Sequence, residues 1–283
     1  MDVTCVVDDA VQRSSPFWGE HGVAFLIETE GGRVLFDTGQ SGTVLMHNLD
    51  LLGVDPASLD AVAISHGHYD HTGGLTALLE HLSPQAGLYA TPDLFRERYS
   101  KREGASVKSE LEDVGIDLTE EDLAARVSLT LNAQPQEIIP GVWTTGEITR
   151  RPEKEGSSSH HRMRERHAIV PDRYLDDMAL VLASDDEVTV LCGCCHAGLL
   201  NTVAHVDRIF DQPVGVIAGG LHLTGANEQE LAHICRTLKT LPALRRVYPN
   251  HCTGETAFVA LTNAFGSSVV RPFPAGTVLE VGL

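Results

Sequence analysis

This 283-residue chain has no apolar run approaching the ~20 residues that a membrane-spanning helix needs. Its opening, MDVTCVVDDA, lacks the basic start and apolar stretch of an export signal. A soluble, cytoplasmic protein with no membrane partner is therefore expected. Positive charge is in short supply: 21 Lys and Arg stand against 39 Asp and Glu, a formal net charge of −18. Binding along nucleic acid needs a basic footprint that neutralises phosphates, and this balance excludes it as the main activity. Cysteine is too sparse and too clustered for a disulfide scaffold. The six are Cys5, Cys192, Cys194, Cys195, Cys235 and Cys252, and three of them fall within four positions. In a long chain without an export signal, buried thiols or neighbours of a metal site fit better. Aromatics make up only 5%, yet 42% of the residues are hydrophobic, enough for a full core in one domain spanning 1–283.

What is present is a regular alternation of strands and helices. VTCVV and VAFLIETEGGRVLFDTG read as strands, the second a hairpin turning at Gly31-Gly32. TVLMHNLDLLG reads as a helix, AVAIS as a strand, LTALLEHLS as a helix and GLYAT as a strand. From Pro92 to about Ile139 the pattern blurs, with a charged helix around LTEEDLAARV; VWTTGEI resumes extended structure. The second half alternates cleanly: MALVLA and VTVLCG, then LLNTVAHVDRIF, PVGVIAGG, EQELAHICRTLKTL, RRVYPN and ETAFVALTNAF, with SVVRPF and TVLEVG closing as strands. The expected class is α/β with two mixed sheets. A polar segment at about 150–173 reads as a loop insertion. Arg150, Arg151, Arg162, Arg164 and Arg166 stand out in it, and such a loop folded over a site would act as a basic lid for an anionic substrate.

Residues 64–75 read ISHGHYDHTGGL, so His66, His68, Asp70 and His71 crowd within six positions directly after an apolar strand. In extended geometry His66 and His68 point to one side and can share an ion. Asp70 and His71 follow where the chain turns, so a second ion can take ligands from the same loop. Imidazole with carboxylate suits zinc, and also iron or manganese. Further histidines end later strands: His196 after LCGCC, His222 in GGLHL and His251 in PNHCTG. His21, in EHG, precedes the first long strand and is a candidate to line the site as a further ligand or supporting residue. His47, His81, His160, His161, His205 and His233 fall in helices or the polar loop and read as solvated.

His66-Gly67-His68-Tyr69-Asp70-His71 resembles the H-x-H-x-D-H signature of the metallo-β-lactamase superfamily, and Phe36-Asp37-Thr38-Gly39 resembles its DTG strand end. The resemblance implies a four-layer αβ/βα sandwich of two mixed sheets flanked by helices, with metal held at one edge. It implies Asp37 as a structural anchor and His251 as the last ligand of the second ion, while His196, on the residues themselves, can complete a three-imidazole set with His66 and His68. The strand end at Leu191–Gly198, where the superfamily places a bridging Asp, carries Cys194, Cys195 and His196 instead. Alternation puts Cys194 and His196 on one side of the chain and Cys195 on the other. Either thiol can replace the carboxylate as a ligand, or sit as a small buried hydrophobe. Asp176-Asp177 fall where an upstream third His is usual, as a ligand, a supporting partner or strand-start carboxylates in water. HGHYDHTGGL, GCCHAGLLNT, GGLHL and PNHCTG together resemble the branch of dihydropterin-ribofuranosylaminobenzene phosphate synthase-like metal-dependent hydrolases.

The expected activity is that of a metal-dependent hydrolase acting on a small ester, phosphoester, lactone or amide. Two divalent ions, zinc first among the candidates, would be held by His66, His68, His196, Asp70, His71 and His251, generating hydroxide near neutral pH. Asp70 would orient the water and His222 would protonate the leaving group. The rival readings are a pterin-pathway transferase using the same ions and a non-hydrolytic metal-binding or redox protein.

Overall fold

The structure, a computed structural model, describes residues 1–101 and 111–282. Residues 102–110 fall in the stretch where the sequence pattern blurs and lie outside that range. A seven-stranded sheet runs in the order Val278–Glu280, Asp2–Val7, Ala24–Thr29, Gly32–Phe36, Ala61–Ala63, Gly87–Ala90, Ser128–Leu131. A six-stranded sheet runs Arg246–Asn250, Val214–Gly220, Val188–Cys192, Ala179–Ala183, Val142–Thr144, Gln136–Ile139. Both are mixed. Gly32–Phe36 pairs antiparallel with its hairpin partner and parallel with Ala61–Ala63. Val188–Cys192 pairs antiparallel with Ala179–Ala183 and parallel with Val214–Gly220.

The period-2 pleat of the central strands explains the layers. Phe25, Ile27, Val34, Phe36, Ala61 and Ala63 face Leu180, Leu182, Leu191, Val216 and Ala218 of the other sheet, forming a core between the two. The residues between them, Leu26, Leu35 and Val62, point the opposite way into a second core with Leu45 and Leu49 of the helix Gly42–Leu51 and Leu75 and Leu78 of the helix Leu75–Leu79. Val181, Val190 and Ile217 do the same beneath the helices Leu199–Ile209, Glu228–Leu238 and Glu255–Phe265. Strands buried on both faces read as unbroken apolar runs, which is how MALVLA and PVGVIAGG look in the sequence. Each fully buried Val, Leu or Phe contributes about 1.5–3 kcal/mol. This is the four-layer αβ/βα sandwich.

Two expectations need correction. The segment at 150–173 is not simply a loop: His161–Glu165 and Ala168–Pro171 form an antiparallel hairpin. Together with Arg98–Lys101 and Leu111–Asp113 it makes a separate four-stranded sheet. Its polar composition hides the strand pattern, since within HRMRE only Met163 is buried. SVVRPF forms an isolated bridge, Val270 to Val247, in place of a strand. Pro272 and Pro274 remove the amide donors that a ladder would need there.

Candidate metal centre

The parallel strands Ala61–Ala63, Val188–Cys192, Val214–Gly220 and Arg246–Asn250 all end on one rim, the place where α/β sheets gather ligands. The chain leaving them supplies His66 to His71, Cys194 to His196, His222 and His251. The loop after Ala61–Ala63 is tightly packed. A Cβ on Gly67 would lie 2.3 Å from the Leu94 carbonyl oxygen, and one on Gly22 (φ +124°) would lie 2.2 Å from that of Asp70. Among the described residues, apart from glycines, Ser14 and Arg166, those with positive φ are Asp37, Tyr174, Cys195, His222 and His251. All five lie in or against this rim, and such strain concentrates where a site over-determines the backbone.

His66, His68 and His196 each offer a ring nitrogen within 4.8 Å of the others, and all three rings are buried. The Ser65 hydroxyl donates its hydrogen to Asp37 Oδ2 (2.7 Å), so at 2.9 Å it accepts from His66 Nδ1. His196 Nδ1 donates to the Gly156 carbonyl (2.8 Å). Both rings therefore turn an unprotonated Nε2 inward. His68 Nε2 and His196 Nε2 have no hydrogen-bond partner although buried. Burial, reinforced by neighbouring imidazoles, holds all three rings well below the usual imidazole range, which leaves them neutral.

The second cluster surrounds Asp70. Its Oδ2 lies 3.5 Å from His71 Nε2 and 3.4 Å from His251 Nε2. Ligand atoms about 2.0–2.1 Å from a tetrahedral ion are spaced about 3.4 Å apart, so the spacing fits. His71 Nδ1 donates to Asp37 Oδ2 (2.7 Å) and His251 Nδ1 to Asp9 Oδ2 (2.7 Å). Such carboxylate–histidine pairs fix the tautomer of a ligand. Burial alone would lower His71, but Asp70 and Asp37 outweigh it and raise the imidazole to about 9. His251 is raised in the same way, burial being overcome by Cys252, Asp70 and Asp9. His21, at the mouth of the site, sits 3.5 Å from Asp70 Oδ2 through its Nε2.

Cys194 stands between the clusters. Its Sγ is 3.3 Å from His71 Nε2 and groups within 4.8 Å with His66 and His71, with His196 and His222, and with His251 and Cys252. Cys195 turns away into the helix-side core, its Sγ 3.4 Å from Thr202 Oγ1, which takes it out of the candidate ligands. His222 lines the cavity, its ring 4.3 Å from that of His196 and its buried Nδ1 without a partner. The donor chemistry and the orphaned nitrogens thus fit divalent transition ions.

Asp176 and Asp177 are not strand-start carboxylates in water. Both are 1% exposed. Asp176 pairs with Arg98 (2.6 Å) and accepts from the Gly67 amide (2.7 Å), pinning the backbone between His66 and His68. Burial raises it to about 7 against the pull of Arg98. It supports the loop and does not join the imidazoles. His161 is not solvated either: its ring lies 4.8 Å from that of His68, with Nδ1 3.0 Å from the Tyr174 hydroxyl. Tyr174 stacks on His196 at 4.1 Å. His205 is buried against the Thr145 carbonyl. Sequence reasoning missed Arg98, Tyr174, Asp9 and Cys252; Arg98 and Asp9 lie among charged residues that read as surface.

The cavity over both clusters measures about 570 Å³ and is walled by His21, His68, His196, His222 and His251, by Asp70, Tyr69, Cys194 and Cys252 and, from the four-stranded sheet, by Ser100, Glu112, Asp113 and His161. Among the described residues no lysine or arginine lines it. The basic lid is therefore overturned. Arg151 is tied to the carbonyls of Ile148, Arg173 and Tyr174, Arg162 to that of Ser159, and Arg164 to Glu97. Arg150 and Arg166 are exposed outside the cavity.

Among known proteins, the metallo-β-lactamase superfamily profile matches residues 18–156. The chain is 29% identical to the 7,8-dihydropterin-6-methyl-4-(β-D-ribofuranosyl)-aminobenzene-5′-phosphate synthase of Methanocaldococcus jannaschii, covering 89% of this chain and 87% of that one. A solved metal-dependent hydrolase of the β-lactamase superfamily superposes with a TM-score of 0.82 at 26% identity over 99% of both chains. Zinc-bound PqqB from Methylobacterium extorquens shares the fold at a TM-score of 0.58 and 13% identity, covering 99% of this chain and 100% of that one. Sequence match and superposition agree with the order of the motifs along the chain, which carries a metallo-β-lactamase superfamily domain over residues 18–156.

Proposed function

We propose that this protein is a dinuclear metal-dependent hydrolase of small-molecule esters, phosphoesters or related compounds. The observation that carries the reading is the set of buried, unpartnered ring nitrogens on His68, His196, His222 and His251, all turned into one cavity. Leaving such atoms without partners costs about 1–3 kcal/mol each, a cost that bound ions remove. His66, His68 and His196 would hold the first ion and Asp70, His71 and His251 the second, with the Cys194 thiol lying between the two sets. Zinc suits this nitrogen, oxygen and sulfur set best. When bound, such ions act as Lewis acids that lower the pKa of water and polarise a carbonyl or phosphoryl group.

The protein's own groups do the rest. Asp70 keeps its carboxylate ionised despite burial, which raises its pKa, because His71 and His251 lower it further. It thereby orients the attacking water. His222, across the cavity, hands a proton to the leaving group. With no lysine or arginine in the described wall, the ions themselves meet the charge of an anionic substrate. A second reading, a pterin-pathway transferase, draws on the 29% identity to the synthase and uses the same residues. The test is titration of zinc into apo-protein with a phosphodiester and a carboxylic ester as probes. Turnover should appear with metal and vanish on chelation; unchanged turnover after metal removal contradicts the proposal. Product analysis with a pterin pyrophosphate separates hydrolysis from transfer.

A further inference from the structure

We propose that His21 is a further protein ligand of the second ion, beside Asp70, His71 and His251, and that Asp9 is the positioning carboxylate for the His21 and His251 rings. The inference rests on the dinuclear reading above and adds to it a ligand from outside the three strand-end loops. Three imidazoles, not two, converge on Asp70 Oδ2. The Nε2 atoms of His71, His251 and His21 lie 3.5, 3.4 and 3.5 Å from it. Equal spacings of that size match the edges meeting at one ligand atom of an ion with zinc–nitrogen distances of about 2.0–2.1 Å. Asp9 supplies the second observation. Its Oδ1 accepts from His21 Nδ1 at 2.9 Å and its Oδ2 from His251 Nδ1 at 2.7 Å. One carboxylate thus fixes two rings in the same tautomer, each presenting Nε2 to the same point. A carboxylate behind a ligating imidazole is the usual supporting arrangement at metal sites. His251 is further held by its own amide, which donates to Asp8 Oδ1 at 2.9 Å.

His21 differs from the other imidazoles in one respect: its side chain is 52% exposed, against 1% for His251. A ligand at the mouth closes the coordination sphere from the solvent side and is the one a substrate can displace.

The experiment uses the full-length protein stripped of metal and reloaded with zinc. Binding is followed by chelator competition, and the ring nitrogens by long-range proton–nitrogen NMR. In the unsubstituted protein the His21 Nε2 resonance should shift as the second equivalent of zinc enters. His21→Ala should weaken the second ion by about tenfold or more and leave the first unchanged. Asp9→Asn, which releases two rings, should weaken it by about 10–100-fold. Both positions are partly exposed, so the variants should fold. An unshifted His21 Nε2 with two ions bound, or wild-type second-ion affinity in His21→Ala, overturns the inference and leaves the dinuclear reading standing. A wild-type protein that takes up a single ion overturns both.

Discussion

His66, His68 and His196 are stripped of protons by burial, whereas His71 and His251, a few ångströms along the same rim, are held protonated by Asp37, Asp70 and Asp9. Residue type does not separate the two clusters, since both are built on imidazole. The carboxylates do. The first cluster has Ser65 and the Gly156 carbonyl behind its rings, neutral acceptors that orient without attracting a proton. The second has Asp37 and Asp9. A neutral site takes an ion without proton release, and a protonated one must exchange protons for it. One fold rim thus prepares two unlike sites.

The comparison breaks most severely at the support beneath the first cluster. Arg98 is fully buried and paired with Asp172 (3.1 Å) and Asp176 (2.6 Å). Arg98→Ala strands two buried carboxylates and should cost about 3–5 kcal/mol in denaturant unfolding. Asp37→Asn, which removes the charge behind His71, should weaken the second ion about 10–100-fold in chelator competition and the first ion less, through the Ser65 hydroxyl that Asp37 holds behind His66. The pH dependence follows from the sign of the His71 shift. With its pKa raised to about 9, the ring carries a proton at neutral pH that metal must displace. His251 is raised as well, so each of the two rings should add up to about tenfold per pH unit to second-ion affinity, the His71 share levelling off above about 9, whereas the first site stays flat above neutral pH. Equal pH slopes at the two sites would erase the distinction. The smallest effect belongs to Cys195→Ala: about 1 kcal/mol from the lost packing against the helix, with metal content unchanged.

The layers and the HxHxDH loop were legible because apolar strands buried on both faces write themselves as continuous runs, and their ends point to the rim. The Cys194 and Cys195 sides follow from the same alternation. The four-stranded sheet was not legible, because its strands carry Arg98, Arg162 and Arg164 among polar residues, and a small sheet with one buried methionine leaves no apolar period. His161 and Asp9 escaped for a related reason: each owes its place to tertiary pairing across a long stretch of chain, with His68 and with His251, and local sequence holds no trace of it. The arginines of the polar segment misled because Arg151, Arg162 and Arg164 are spent on backbone carbonyls and on Glu97, while Arg150 and Arg166 stand exposed outside the cavity.

The most direct test is a metal count by elemental analysis on the purified protein and on His196→Ala. Two divalent ions per wild-type chain, falling to one in His196→Ala with the Asp70 site still filled, is the predicted result. A wild-type chain that retains no transition ion, or a His196→Ala chain that keeps both, contradicts it.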